Sequence, residues 1–386
     1  MLTIITFVIV LGVLVFVHEF GHFLAAKKQG IGVEEFGFGF PPRIFGVRRK
    51  QEGGWKIVKG GESLDENTPT VYSLNWIPLG GFVKIKGESG EKEGEKDSFA
   101  SRGVGQRVLV IVMGVLFNLL LAVLLISFGY LVGMPQAVDE NISKYARVSE
   151  KRIEVLAVVP GSPAEKAGIK EGDAMESING QKDLTVKSFQ NLVAENIDKE
   201  VNVSLRRQNE VKELRLTPVV LKETQKPGLG VGLAQVGVVR YPWWLALPKG
   251  AIMTGTLTKV IFQAFGTLIH DLALGEKIAM EVAGPVGIAV MTGQAARLGL
   301  IYLLQFVAIL SINLAIINIL PLPALDGGRL LFLLIEKIRR RPVGYKIELI
   351  VHNMGFILLL VLVVLITYRD LARYWGTIGG WLQKLI

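Results

Sequence analysis

Residues 2–26 read LTIITFVIVLGVLVFVHEFGHFLAA, and every residue from 2 to 17 is apolar, glycine or threonine. As a helix the segment is about 37 Å long, enough to cross the roughly 30 Å hydrocarbon core of a bilayer. No basic stretch precedes it, and charged and histidine side chains lie in its second half, which argues against a cleaved signal peptide. The segment predicts a transmembrane helix.

The composition of the whole chain agrees with a membrane protein. Its 386 residues are 50% hydrophobic and 20% charged, with a mean hydropathy of +0.43. Lys and Arg number 43 against 34 Asp and Glu, and this net charge of +9 is first a topology signal in a membrane protein. The chain has no cysteine, which excludes disulfides, cysteine-ligated zinc and a thiol nucleophile.

Apolar runs predict a polytopic α-helical fold with four transmembrane helices. The predicted spans are residues 1–26, 108–133, 298–336 and 347–370. The short connection at 337–346 holds five basic residues, and short basic connections stay in the cytoplasm. Residues 27–107 are therefore expected in the cytoplasm, and the N-terminus, residues 134–297 and the tail at 371–386 outside it.

The stretch at 225–297 is ambiguous in the sequence. Its apolar part, 244–271, resembles a fifth span, but Lys249, Lys259, His270 and Asp271 interrupt it. An extra crossing would also place the basic connection outside. We expect an interfacial or re-entrant amphipathic helix here.

The cytoplasmic segment 27–107 contains short runs of β-branched and aromatic residues. Residues 55–59, 71–77 and 82–86 are bounded by Gly, Pro and Asn, so they predict strands of a membrane-associated β-element. Residues 88–97, ESGEKEGEKD, lack apolar anchors and predict a disordered loop.

The chemistry-bearing motif is HEFGH at residues 18–22, a match to HExxH. On a helix, His18 and His22 share one face and both reach one metal, and Glu19 lies beside the open coordination position as general base. From this composition roughly 0.004 matches are expected by chance. Three ionisable groups inside an apolar span, the acid alone costing about 2.5 kcal/mol or more, indicate function rather than two core histidines.

A catalytic zinc needs a third protein ligand, and the sequence offers Asp326, His270, Asp271 and His352. His18 lies near the predicted cytoplasmic end of its helix, and Asp326 lies in the cytoplasmic part of the third span, whereas His270 and Asp271 belong to the outer segment. Pro321 and Pro323 break the helix before Asp326, which is tolerated at membrane depth only around a buried or wet cavity. These arguments favour Asp326 over a simple Asp-Gly-Gly turn.

The pair HEFGH and NILPLPALDGG (residues 318–328) resembles the site-2 protease family of intramembrane zinc metalloproteases, peptidase family M50, in its bacterial RseP-like branch. FGFGFPPR at 36–43, PLGGFVK at 78–84, MGVLFN at 113–118 and GPVGIA at 284–289 support the same resemblance across most of the chain.

Residues 134–224 carry a second resemblance. VVPGSPAEKAGIKEGD at 158–173, followed by ING at 178–180, is similar to a bacterial, circularly permuted PDZ domain, an α+β fold that binds extended peptide ends by strand addition. Whether its groove is open, or the domain only covers the enzyme, stays undecided by the sequence. The best-known RseP-like members carry two PDZ domains and this chain has room for one, which puts size filtering of substrates by paired domains in doubt.

The resemblance implies zinc as cofactor and hydrolysis of a peptide bond in single-span membrane proteins, such as anti-sigma factors or remnant signal peptides, in the cell inner membrane. Zinc lowers the pKa of its water toward about 7 and Glu19 removes the proton. Gly80, Gly81, Phe82 and Val83 are expected to present an edge strand to unwound substrate.

Asn318 either holds the substrate or makes an interhelical hydrogen bond, and Asn118 is expected to have a structural role. The rival functions are a non-catalytic PDZ-bearing scaffold with a vestigial metal site, which predicts no metal dependence, and a transporter, for which internal repeats would be needed.

Overall fold

A computed structural model describes residues 2–50, 53–62, 69–88, 94–138, 142–182, 184–207, 210–221, 227–275, 283–341 and 343–382. The helices are α1 Leu2–Lys28, α2 Val104–Val132, α3 Pro163–Lys166, α4 Val186–Glu195, α5 Trp243–Leu274, α6 Pro285–Leu298, α7 Leu300–Ile319, α8 Asp326–Arg339 and α9 Tyr345–Leu382. The strands are β1 Val33–Arg49, β2 Trp55–Lys59, β3 Val71–Ile85, β4 Met134–Ala137, β5 Arg147–Val158, β6 Ala174–Ile178, β7 Val201–Arg207, β8 Glu210–Leu216, β9 Val219–Val220, β10 Pro227–Gly228 and β11 Val231–Arg240.

The chain divides into two compact units. Unit 1 comprises residues 1–127 and 247–386, and unit 2 comprises residues 128–246. Residues 89–93 of the acidic loop that the sequence predicts lie outside the described residues.

Within the described residues, five helices rather than four are long and apolar enough to cross a membrane, which fits a multi-pass membrane protein. α1, α2, α7 and α9 fall in the four predicted spans. The fifth is α5, an unbroken helix of 32 residues, or about 48 Å, over the segment expected to be interfacial or re-entrant. The length and apolarity of α5 therefore permit it to cross a membrane, although its Lys, His and Asp residues predict that it does not.

The predicted third span at 298–336 is two helices in the structure. α7 ends at Ile319, and α8 begins only at Asp326 and mixes apolar with charged residues. The break contains Pro321 and Pro323, where the sequence predicts one. The connection at 337–346 is correspondingly shorter, because α8 continues to Arg339 and α9 begins at Tyr345 and extends past residue 370 to Leu382.

Unit 1 packs a small sheet against α1. The strand order is β2-β1-β3, all antiparallel, with Phe36 opposite Val83 and Val47 opposite Tyr72. The runs at 71–77 and 82–86 are one strand, β3, and β1 was missed because its glycines and prolines obscure the period-two pattern. Phe36 of β1 stacks on Phe23 of α1 and contacts the tilted rings of Phe16 and Phe20, so the sheet is fixed to the helix that carries HEFGH.

Unit 2 is a six-stranded sheet of order β4-β11-β5-β6-β7-β8 with α3 and α4. Its core contains Phe189 of α4 and Val203 and Leu205 of β7, all almost fully buried. The predicted end of this domain at residue 224 is corrected, because β11 pairs along β5 from Val231 to Arg240. Residues 231–240 are therefore sheet and not interfacial segment. The short β9 and β10 pair separately.

A buried carboxylate ties the strands of unit 2 together. Asp173, 1% exposed, accepts two hydrogen bonds from Arg207, each 2.7 Å long, and one of 2.9 Å from the Lys170 N–H. Burial alone would raise the pKa of Asp173, but the Arg207 guanidinium and the Lys170 N–H together hold it below its ordinary value.

We expect Asp173→Asn to lower the free energy of unfolding of unit 2 by about 1–3 kcal/mol at neutral pH, because Arg207 loses a bidentate partner. A depressed pKa stabilises the fold above the unfolded value of about 4, and that contribution is lost as the pH falls through the folded value. Variant and wild type should therefore converge in acid. Hydrogen exchange of the β5 and β6 amides in the full chain measures the difference. Asp198→Asn, which removes an equal charge, is the control, and a pH-independent difference would contradict the assignment.

Candidate metal centre

α1 places His18 and His22 on one face, one turn apart, and both side chains are buried. Their Nε2 atoms are 3.1 Å apart. The third member of the cluster is Asp326, whose Oδ2 lies 3.0 Å from His18 Nε2 and 3.3 Å from His22 Nε2. One ion could therefore contact all three side chains, although Asp326 lies 308 residues after His18 in the chain.

Asp326 reaches the histidines because the chain turns sharply between α7 and α8. Gly327 and Gly328 follow it directly, and a Cβ at either would overlap the carbonyl groups of Leu320 and Leu322. The tight turn that places Asp326 at the start of α8 therefore requires glycine at both positions that follow it.

The tautomer of His22 follows from its hydrogen bonds. Its Nδ1 lies 2.9 Å from the carbonyl oxygen of Val110, an acceptor only, so Nδ1 carries the proton. The lone pair of Nε2 then faces His18 and the carboxylate of Asp326. A backbone carbonyl behind a ligating imidazole is the usual device that orients a metal ligand.

The Nδ1 atom of His18 likewise has a hydrogen-bond partner behind the ring, in this case the side-chain amide of Asn118. Asn118 Nδ2 lies 3.2 Å from His18 Nδ1, while Asn118 Oδ1 is buried without a hydrogen-bond partner among the described residues. Rotating the amide by 180° lets Oδ1 accept from Nδ1–H, because O and N of an amide are assigned only from their contacts. That orientation satisfies the orphaned oxygen and leaves the His18 Nε2 lone pair facing His22 and Asp326.

Two imidazole lone pairs and one carboxylate oxygen facing one another fit a bound cation. Ligands 2.0–2.1 Å from a tetrahedral zinc ion lie about 3.3 Å apart, close to the separations of 3.0, 3.1 and 3.3 Å observed here. Two nitrogen donors and one carboxylate are also a ligand set of catalytic zinc sites.

Glu19 and the predicted substrate-binding strand meet directly. The Val83 N–H of β3 donates to Glu19 Oε2 over 3.2 Å. Val83 lies opposite Phe36 of β1, and the preceding Phe82, half-buried, lies opposite Gly37. The outward N–H of this edge strand is therefore aimed at the acid of the HExxH motif.

Gly80 and Gly81 make that contact sterically feasible. Gly80 has φ +125°, and a Cβ there would lie 2.6 Å from Cβ of Val15, while a Cβ at Gly81 would lie 3.2 Å from Cα of Phe16. The strand consequently passes α1 within one turn of His18.

Asn318, on α7, also lies at the centre. Its Nδ2 is 3.3 Å from His18 Nε2 and 3.5 Å from His18 Nδ1. The alternatives for the third ligand are not part of the cluster: His270 and Asp271 contact each other near the end of α5, and His352 contacts the backbone of Ala324.

Sequence reasoning missed two contributors to the centre. Asn118 was expected to have a structural role as an interhelical hydrogen bond; it makes one, but with His18 of the metal cluster, which the sequence did not indicate. Gly114 was not singled out, although a Cβ there would come within 2.9 Å of His18 Cε1 and would overlap the His22 ring. The MGVLFN motif contains both residues, four apart on one face of α2, which is the signal from which they could have been inferred.

The sequence is similar to known metalloproteases. The sequence model of Peptidase family M50 matches residues 6–59 and 63–362. The regulator of sigma-W protease RasP of Bacillus subtilis is 30% identical over 456 residues, 96% of this chain and 98% of that protein. A protein of Clostridium perfringens named as a zinc metalloprotease is 36% identical over 359 residues, 93% and 95% of the two chains.

Solved structures of single domains are similar to a smaller part of the chain. The PDZ domain of an SdrC-like protein from Listeria monocytogenes matches with a TM-score of 0.21 and 17% identity, over 22% of this chain and 92% of that domain. Because this TM-score is low, the fold of unit 2 is described from its own strands and sequence pattern alone.

We expect Gly114→Ala to weaken zinc binding by at least about tenfold, because the added methyl group displaces both imidazoles. Gly105→Ala, on the same helix with nothing within 4 Å of its Cβ, should bind zinc like the wild type. Equilibrium titration of each purified protein with zinc against a competing chelator measures the difference. Equal zinc affinity in the wild type and both variants would show that the metal site does not lie between α1 and α2.

Proposed function

The chain belongs to peptidase family M50, and from this membership we propose that it is an intramembrane zinc metalloprotease of the site-2 type. The observation that carries the proposal is the cluster of His18, His22 and Asp326, with the histidine lone pairs turned inward, among helices long and apolar enough to cross a membrane. The reaction is hydrolysis of a peptide bond in or near the transmembrane segment of a single-span protein.

His18, His22 and Asp326 would hold the zinc ion. When bound, zinc supplies a water molecule of lowered pKa, about 7, and polarises the carbonyl to be attacked. Val110 and Asn118 orient the two imidazoles from behind, so that their Nε2 atoms present lone pairs.

Glu19 is the general base and acid. Its carboxylate takes a proton from water and returns it to the leaving nitrogen of the substrate. The Val83 N–H, 3.2 Å from Oε2, fixes the carboxylate toward the edge strand. Because the same N–H is the one an added strand would use, substrate pairing at Val83 would release Glu19 from this bond at the moment the peptide arrives.

A transmembrane helix must unwind before its carbonyl groups are accessible. We assign Gly80, Gly81, Phe82 and Val83 to binding the unwound stretch by strand addition, since this part of β3 carries an outward N–H beside Glu19. Asn318 has an amide within 3.5 Å of His18, and we assign it a second role as a donor to a substrate carbonyl.

The substrates proposed are anti-sigma factors or remnant signal peptides, in line with the Bacillus relative named for sigma-W regulation. Unit 2 would bind a peptide C-terminus as a PDZ domain does. We place the chain in the cell inner membrane with α1, α2, α7 and α9 crossing and α5 interfacial. The N-terminus, unit 2 and the C-terminus are then extracytoplasmic.

The test compares wild type with Glu19→Gln and Asp326→Asn in detergent, using one model single-span substrate. We expect zinc at one equivalent in wild type and Glu19→Gln, and cleavage only in wild type, since Glu19 moves protons and does not hold the metal. Asp326→Asn should lose both zinc and cleavage. Cleavage by Glu19→Gln would refute its role, and wild type without zinc or cleavage would favour the scaffold function.

A further inference from the structure

Unit 2 contains a cavity of about 460 Å³ that the proposed protease function does not use. It is lined by Tyr145, Arg147, Arg240, Tyr241, Pro242 and Trp244. Arg147 of β5 and Arg240 of β11 lie directly opposite each other across the antiparallel pair. Two cations on paired strands thus line one cavity.

Like charges directly opposite on neighbouring strands are destabilising unless an anion lies between them. In the part of the chain that the structure describes, neither arginine forms an ion pair with a carboxylate. Arg240 Nε donates to the carbonyl of Leu131 over 2.8 Å, which orients the guanidinium and leaves its other N–H donors for a ligand. The geometry suits a phosphate group, which guanidinium forks bind in bidentate fashion.

The cavity lies where apolar helices begin and end. Leu131 is in the last turn of α2, and Trp244 is in the first turn of α5. Trp243 and Trp244 are 77% and 56% exposed, and exposed tryptophans mark the headgroup level of a bilayer. A phosphate available at that level belongs to a phospholipid.

We propose that this cavity binds the phosphate of an anionic phospholipid between Arg147 and Arg240. The aromatic lining would pack against the glycerol and upper acyl carbons, and the site would fix the level of unit 2 at the membrane surface. Neither family membership nor the metal centre implies such a site.

The test uses the full chain in detergent with phosphatidylglycerol, phosphatidylcholine or inorganic phosphate, and bound molecules are counted by native mass spectrometry. Two basic contacts of about five-fold each predict that Arg147→Gln with Arg240→Gln weakens phosphatidylglycerol binding about 25-fold. Arg215→Gln with Lys199→Gln removes two exposed cations elsewhere in unit 2 and should bind like the wild type.

If both double variants lose phosphatidylglycerol binding equally, the loss comes from net charge alone, and the proposed site is overturned. Inorganic phosphate that binds as tightly as phosphatidylglycerol would overturn the lipid assignment. Hydrogen exchange of unit 2 shows that each variant is folded, and a single Arg147→Gln with a partial loss supports the site if the double variant unfolds.

A second, independent observation concerns the turn that presents Asp326. Ala324, two residues earlier, has φ +72°, a left-handed conformation that alanine rarely adopts. Its backbone N–H donates to Nδ1 of His352 on α9 over 2.9 Å. A strained backbone at this place needs an outside group to hold it, and His352 is that group.

The choice of histidine at 352 is not explained by packing. Since Nδ1 accepts, the proton is on Nε2, which is buried and has no hydrogen-bond partner among the described residues. An apolar side chain would avoid that cost, so the benefit must come from the bond to Ala324. Gly355, one turn later on α9, lets the helix touch Pro323 at a place where a Cβ would overlap the proline.

We infer that His352 is a positioning residue that holds the turn from Pro323 to Asp326 in the conformation that binds metal. The inference rests on the proposed function, because Asp326 must be a zinc ligand for its orientation to matter.

The test measures zinc affinity in the full chain by competition with a chelator, together with kcat and KM for a substrate. His352→Leu removes the acceptor and should weaken zinc binding about tenfold and lower kcat more than it raises KM. His352→Gln keeps an amide oxygen as acceptor and should restore most of the affinity. Met354→Ala, at a position 66% exposed on the same helix, is the matched control.

Wild-type zinc affinity in His352→Leu, or equal losses in the Leu and Gln variants, would overturn the positioning role. Failure of the wild type to bind zinc would instead refute the proposed function, so the two failures are distinguishable. If His352→Leu does not fold, Gly355→Ala displaces the same turn, and unchanged zinc affinity in that variant would count against the inference.

Discussion

Two imidazole nitrogens and a carboxylate oxygen face one another across about 3 Å inside a bundle of apolar helices. Their lone pairs repel unless a cation lies between them, and burial makes every uncompensated charge costly. The surrounding structure serves this arrangement. Val110 and Asn118 turn the lone pairs inward, and glycines bring backbones into contact around the donors, with Gly21 of α1 against Met113 and Gly114 against both imidazoles.

The membrane environment explains the rest of the unit 1 architecture. A break between α7 and α8 exposes backbone groups that lipid cannot satisfy, so the break must be enclosed by protein. Ion pairs anchor α8, which follows the break: Arg329 pairs with Glu88 beyond β3, and Glu336 pairs with Arg107 of α2. The helix that carries Asp326 is thereby connected to the strand that carries Val83, which links the metal ligand to the proposed peptide-binding edge.

Much of the centre was predictable because its signals are local or chemically rare. HEFGH is a periodic motif in an apolar span, and Asp326 is a lone charge after 28 uncharged residues beside two prolines. The sheet edge was harder to predict. β1 contains three glycines and two prolines that hide its alternation, and β11 pairs with β4 and β5, which lie seventy or more residues earlier in the chain. The MGVLFN motif marks Asn118, but only the packing of α2 against α1 shows that its hydrogen-bond partner is His18, a hundred residues away.

The sequence by itself determined the chemistry: apolar runs demand a bilayer, and ionisable groups inside them are retained only for function. It also determined which residue types were present to bind zinc. The tertiary structure alone decided their tautomers, the partnership of Glu19 with Val83, the left-handed turn held by His352 and the pair of arginines in unit 2. These depend on distances between segments far apart in the chain, and such distances follow from how helices and strands pack rather than from any local pattern.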